Sequence, residues 1–175
     1  EKVANEKEIT SVYALVKDEH FNTELNKNNI KVVCFHDFLS TEMLHQLIEH
    51  ATSPYILLNL KNASIEWGYN ALSRMIQVAK DTDADIVYAD HYDIIEGQTQ
   101  KHPLINYQIG SVRDDFDFGQ LVLIKTQALR EFLNSNKEES YKYAGWYSFR
   151  LFAGANNKIV HIDEYLYTKT ETDNR

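Results

Sequence analysis

Tyr55-Ile56-Leu57-Leu58-Asn59-Leu60 is followed by a helical stripe, Ala71, Leu72, Met75, Ile76 and Ala79, and then by Asp85-Ile86-Val87-Tyr88. A short apolar run between turn residues reads as a strand buried on both faces, whereas apolar residues three and four apart share one face of a helix. Strand, helix, strand in that order is a βαβ unit, whose right-handed crossover predicts parallel pairing. Upstream, residues 11–16 (Ser-Val-Tyr-Ala-Leu-Val) and 30–35 (Ile-Lys-Val-Val-Cys-Phe) read as two more buried strands, separated by an Asn-rich loop or short helix. Between them and Tyr55, Met43, Leu44, Leu47, Ile48 and Ala51 form a helical stripe, with Ser40 as N-cap and Glu42 at the positive end of the dipole.

Downstream of Asp90 the regularity fades. Residues 92–95 and the Glu96-Gly97 turn predict a hairpin, and residues 119–125 a strand leading into a helix over 126–134. A last helix over 143–152, stopped by Gly154, precedes a closing strand over 158–162. The expectation is one α/β domain over 1–175, with a mixed, mainly parallel sheet flanked by helices. A flavodoxin-like or receiver-type domain fits the first half only, and the paired acids that a receiver needs after its first strand are missing.

Composition narrows the function. With 175 residues, 43% of them hydrophobic, the chain suffices for one core. Its 18 Lys and Arg against 26 Asp and Glu, net −8, are the wrong balance for tracking phosphate backbones, so no nucleic acid is expected. No apolar run approaches the ~20 residues of a membrane span and no signal peptide is visible, leaving peripheral membrane contact as the one membrane association compatible with the sequence. A single cysteine, Cys34, excludes an internal disulfide and suits a reducing, cytoplasmic compartment. It reads as a small buried hydrophobe.

In open α/β sheets, ligands bind beyond the carboxyl ends of the strands. Those ends here run into Asp18 and Glu19, into His36 and Asp37, into Asn59, Lys61 and Asn62, and into Asp90 and His91. Dinucleotide, P-loop, zincin and nucleophile-elbow motifs are absent. His45 and His50 share a helix but stand five apart, which suits solvent-facing residues better than metal ligands. The densest polar segment is Gly110-Ser111-Val112-Arg113-Asp114-Asp115-Phe116-Asp117-Phe118-Gly119. It reads either as an active-site loop, with carboxylates for general-base work or sugar hydroxyls, or as a turn whose acids cap backbone amides. Arg113 either orients an anion or pairs with Asp115.

Ser53-Pro54-Tyr55-Ile56-Leu57-Leu58-Asn59-Leu60-Lys61-Asn62, with Ala84-Asp85-Ile86-Val87-Tyr88-Ala89-Asp90 after it, resembles the middle of the GT-A nucleotide-binding domain of family 2 glycosyltransferases. Phe118-Gly119-Gln120-Leu121-Val122-Leu123-Ile124-Lys125 resembles the acceptor-side strand of that family, and residues 158–167 its closing strand. A bacterial branch with lysine at the metal position and an Arg-Asp-Asp-Phe-Asp-Phe-Gly segment is the most similar. The resemblance implies a cytoplasmic inverting transferase of polysaccharide biosynthesis, moving a sugar from a nucleoside diphosphate to a glycan or lipid-linked acceptor.

The departures from the family are specific. Its metal-holding Asp-x-Asp is here Asn59-Leu60-Lys61, its Glu-Asp pair with the catalytic base is Ala144-Gly145-Trp146, and its opening strand has no counterpart before Ser11. No cofactor is therefore expected to be required, although the family's usual Mg or Mn remains an option. On this resemblance Lys61, then Arg113, would offset the leaving diphosphate. Asp115 or Asp117 would be the catalytic base, and Asp18, Asp37 and Asp90 would complete the donor contacts. The alternative is a degenerate domain that only binds sugar, nucleotide or a protein partner.

Overall fold

The computed structural model describes residues 9–16, 30–34, 37–60, 63–111, 115–136, 140–156 and 158–170. Asp18, Lys61 and Arg113, and the side chain of Cys34, lie outside the described residues. β1 (Val12–Val16) and β2 (Ile30–Cys34) pair in parallel as a two-stranded sheet. Helix α1 (Thr41–His50) begins as the sequence predicts, because the Ser40 hydroxyl accepts from the Met43 amide at 3.0 Å. β3 (Tyr55–Asn59) and β4 (Ser64–Trp67) lead to α2 (Ala71–Thr82), bounded by Asn70 and Asp83 in left-handed conformation at φ 51° and 52°. Asn and Asp tolerate that region better than most side chains. β5 (Ile86–Ile95) and β6 (Gln98–His102) form a hairpin. β7 (Leu121–Lys125), α3 (Thr126–Ser135), α4 (Gly145–Ala155) and β8 (Ile159–Thr170) complete the order.

The main sheet has strand order β3-β7-β5-β8-β4, with β6 on β5. The mainly parallel expectation is corrected: within this sheet only β5 and β8 pair in parallel, and the other pairings are antiparallel. β3 and β5 do run in the same direction, but β7 inserts antiparallel between them. Its Leu-Val-Leu-Ile is buried on both faces, which a central position provides and an edge would not. β5 is also one ten-residue strand through Asp90 and His91, where the sequence reading has a break, because those polar side chains find partners inside the fold. β4 was not anticipated, and β8 continues well past Ile162 to Thr170.

Alternating side chains of the sheet feed two cores. Ile86, Tyr88, Val122 and Ile124 face Leu44 of α1, Leu129 and Phe132 of α3, and Trp146 and Phe149 of α4. Val87, Ala89, Leu121 and Leu123 face Met75 and Ala79 of α2. Each fully buried side chain of this size stabilises the fold by about 1.5–3 kcal/mol. No helix among the described residues is long and apolar enough to cross a membrane.

Gly145 shows how tightly α4 is seated. A Cβ there would lie 2.4 Å from the Thr41 amide nitrogen and 2.5 Å from the Ser40 carbonyl carbon, both backbone atoms that cannot rotate away. Gly145→Ala is expected to destabilise the protein by about 2 kcal/mol or more, lowering Tm by several degrees in a thermal melt. A melt unchanged within 1 °C on that roughly calibrated scale would mean that α4 can shift freely.

Candidate functional site

The candidate site lies at the edge where β5 changes partners. Up to Tyr88 it pairs with β7, and from His91 onward with β6. At the same level its register with β8 jumps: Ala89 faces Ile162, and His91 faces Tyr167, so two steps on β5 span five on β8. The chain between, Asp163-Glu164-Tyr165-Leu166, bulges outward, tied to α2 by an exposed Arg74–Glu164 pair at 2.6 Å. β3 ends and β7 begins at this edge, with Asn59 opposite Leu121.

Two polar clusters flank the bulge. In the first, buried Asp90 accepts from the Leu104 amide at 2.8 Å, and its Oδ1 lies 2.8 Å from His161 Nε2. His161 Nδ1 lies 2.6 Å from Asn106 Oδ1 and 3.0 Å from Asp163 Oδ1, and the ring stacks on Tyr88 at 4.7 Å. Together these contacts hold the segment after β6 onto the sheet.

The second cluster is a row of rings crossing three strands. His102 of β6 stacks on His91 of β5 at 4.4 Å, and His91 stacks on Tyr167 of β8 at 4.9 Å. The Tyr167 hydroxyl accepts the Gln120 amide at 2.9 Å and the Leu121 amide at 3.3 Å. The left-handed turn at Gly119, φ 73°, passes over this row, and a Cβ there would meet the Tyr167 hydroxyl at 2.7 Å. Beneath the rings, Asp93 Oδ2 is 2.6 Å from His102 Nδ1, and its Oδ1 is 3.2 Å from the buried Lys169 ammonium. Burial pushes the Asp93 carboxyl up, but the hydrogen bonds from His102 and Lys169 and the charge of Lys169 outweigh it, so the group sits below its ordinary range.

The sequence-predicted residues are placed as follows. Asp117 is half-exposed; its Oδ1 caps the Gly119 amide at 2.8 Å, and its Oδ2 is 3.8 Å from His102 Nε2. Asp115 is exposed in the same segment. Asp90 belongs to the first cluster. Asp37 sits at the entry to α1, its Oδ1 accepting the Leu39 amide at 3.1 Å. Asn59 Oδ1 accepts from the buried Gln120 side chain at 2.8 Å, and the same amide nitrogen donates to the Ala63 carbonyl at 3.1 Å. His45 and His50 are exposed, as read. His102, Asp93, Lys169, His161 and Tyr167 were not among the predicted residues. The His91–His102 register across a two-residue Glu96-Gly97 turn was the one available signal.

Metal is poorly served here. The position that in the resembled family carries a metal-binding carboxylate holds Asn59, whose oxygen is already engaged by Gln120. His91, Asp93 and His102 do bring donor atoms within 4.8 Å of one another, the one such group among the described residues. Their two rings, however, are stacked 17° from parallel, so their lone pairs lie in offset planes, and the Lys169 ammonium already serves the shared carboxylate. The trio is built as a charge network.

Burial depresses His91 from 6.5 to about 4, so its ring is neutral in the fold. Because the folded value lies below the unfolded one, the unfolded chain takes up this proton first. Stability is therefore lost as pH falls from about 6.5 towards about 4, at up to about 1.4 kcal/mol per pH unit from this group. His91→Asn is expected to flatten the Tm-against-pH curve in that window; an unchanged slope would assign it to other groups.

No protein-family model matches the sequence, and no curated protein matches it. Among solved structures, the fold is similar to S. aureus TarS 1-349 in complex with UDP-GlcNAc, with TM-score 0.60 and 12% identity over 94% of this chain and 50% of that one. It is likewise similar to uncomplexed TarS 1-349, with TM-score 0.55 and 14% identity over 91% and 51%. For TarS 1-349 in complex with UDP the values are 0.56 and 13% over 93% and 51%. The chain spans about half the length of these neighbours. At such identity the likeness is one of fold, a mixed α/β arrangement.

Proposed function

We propose that this chain is a glycosyltransferase domain that moves a sugar from a nucleoside diphosphate, first of all UDP, to a hydroxyl of a glycan or lipid-linked acceptor. The observation that carries the reading is the fold shared with a protein crystallised with UDP and with UDP-GlcNAc. Lys61 and Arg113 supply positive charge to the departing diphosphate in place of a metal, since a cation held where charge develops stabilises the transition state. Asp18 and Asp37 contact the nucleoside. Asp90 acts from beneath, by anchoring the segment that begins at Leu104. Asp115 and Asp117 lie on the acceptor side, and catalysis is inverting.

A second reading, a degenerate domain that binds sugar or nucleotide without turnover, is favoured by one observation. The segment Ala144-Gly145-Trp146, which stands where the resembled family has its Glu-Asp pair, is packed against the start of α1 with no space for a side chain at Gly145. Function does not follow from fold, so the two are separated by experiment.

Melting curves with UDP, UDP-GlcNAc, GDP and CMP, each with manganese and with EDTA, decide whether a donor site exists. Stabilisation by a uridine nucleotide that survives EDTA is expected, about 2.7 kcal/mol at 100 times Kd. Stabilisation only with manganese would remove the metal-free role of Lys61, and no stabilisation by any nucleotide would overturn the donor site. Lys61→Ala is expected to weaken UDP binding at least tenfold by calorimetry, on the order of 1.4 kcal/mol. Asp115→Asn and Asp117→Asn should leave donor binding intact while slowing transfer. Full transfer rates in both would take the acidic segment out of the chemistry.

A further inference from the structure

We propose that His102 is the general base of the transfer, held for that task by Asp93, and that the acceptor presents two adjacent hydroxyls. This assignment rests on the transferase reading above. It supplies the base that the sequence lacks at Ala144-Gly145-Trp146.

The argument begins with which ring nitrogen carries the proton. His102 Nδ1 lies 2.6 Å from Asp93 Oδ2, and an ionised carboxylate only accepts, so Nδ1 holds a hydrogen and, in the neutral ring, Nε2 keeps its lone pair. Asp93 stays ionised because Lys169 sits on its other oxygen at 3.2 Å. The ring plane is set from one side by the His91 stack. A carboxylate that fixes tautomer and orientation and then stabilises the imidazolium is the arrangement by which a histidine becomes an effective base.

The free nitrogen faces outward. The His102 side chain is 37% exposed and that of Asp117 48%, so this side of the cluster is accessible. Nε2 and Asp117 Oδ2 are 3.8 Å apart, too far for a hydrogen bond to each other. Two hydroxyls on neighbouring carbons of a sugar or polyol match that gap, one donating to Nε2 and the other to Asp117 at about 2.8 Å each. The charged and titratable groups around the ring are Asp93 and His91 from β5, Asp117 from the segment over it, and Lys169 from β8 behind Asp93.

The step balances with donor and acceptor alone. The acceptor O–H proton passes to Nε2 as its oxygen bonds to the anomeric carbon. The bond from that carbon to the β-phosphate oxygen breaks, and its electron pair leaves on the nucleoside diphosphate. The imidazolium then returns its proton to water. Asp93 is a positioning residue, since its contacts are to the His102 ring, Lys169 and His91 and it acts on the acceptor only through His102.

Long-range 1H–15N spectra of the full chain test the tautomer without any substrate. His102 is expected with Nδ1 protonated and Nε2 bare, and to lose that preference in Asp93→Asn; an Nε2–H tautomer in the unmodified protein overturns the proposal. Kinetically, His102→Gln should lower kcat at least 100-fold, in the range of lost general-base catalysis, with the UDP-induced Tm shift retained. A kcat within about threefold of wild type, with donor binding intact, overturns the assignment alone. If the wild-type chain shows neither a donor-induced shift nor transfer, the transferase reading falls and the assignment falls with it.

Discussion

The parallel pairing of β5 with β8 is the constraint on which the molecule hangs. These strands meet from Ile86 opposite Ile159 to Ile94 opposite Thr170, and they remain paired on both sides of a bulge. Before the bulge the pair is core: Ile86, Val87, Tyr88 and Ala89 have no exposed surface, and β7 covers the other side of β5. Past it β5 carries polar and charged side chains, and β6 replaces β7. A strand pair that is buried at one end and polar at the other delivers side chains to an edge with little freedom, because the ladder behind them is close-packed.

The polar clusters at that edge are expensive to bury and most of their polar atoms are paired, although His91 Nδ1 has no hydrogen-bond partner and Asp93 Oδ1 is met by ion-pair contact. Asp93 and Lys169 are taken out of water together, with His102 as a further partner, and losing one member of such a set typically costs 3–5 kcal/mol by stranding the rest. Asp90 meets both the Leu104 amide and His161, so one carboxylate ties the segment after β6 to β8. Tyr167 does for the β7 side what Asp90 does for this one, its hydroxyl accepting two backbone amides beside the Gly119 turn. Asp117, His102 and Gln120 thus hang from one frame.

At the same edge, positions that carry functional groups in the resembled family are occupied by residues with packing tasks. Asn59 is turned inward to Gln120, joining the end of β3 to the start of β7, a task that a metal-bound carboxylate would be too engaged to perform. Gly145 lets α4 approach α1 within backbone contact, and Trp146 fills the core beside Phe149. Packing has taken over positions that chemistry holds in the resembled family. The polar groups proposed for chemistry are concentrated between β6 and the Asp115–Gly119 segment.

By itself the sequence determined where most elements begin and end. The stripe from Met43 to Ile48, the Ser40 cap, and the apolar runs at Tyr55 and Leu121 are decided within a turn or two of chain, because amphipathic period and capping are local energies. It also exposed Asp117 as a candidate, through the density of acids around it. Which strands pair is a different kind of quantity, summed over the whole sheet. Nothing near Leu121 marks β7 as the strand that separates β3 from β5, and nothing near Ile162 announces that β8 will bulge and continue. For the same reason Asp93, His102, Asp117 and Lys169, each unremarkable in its own surroundings, came together only when the fold had chosen its strand neighbours.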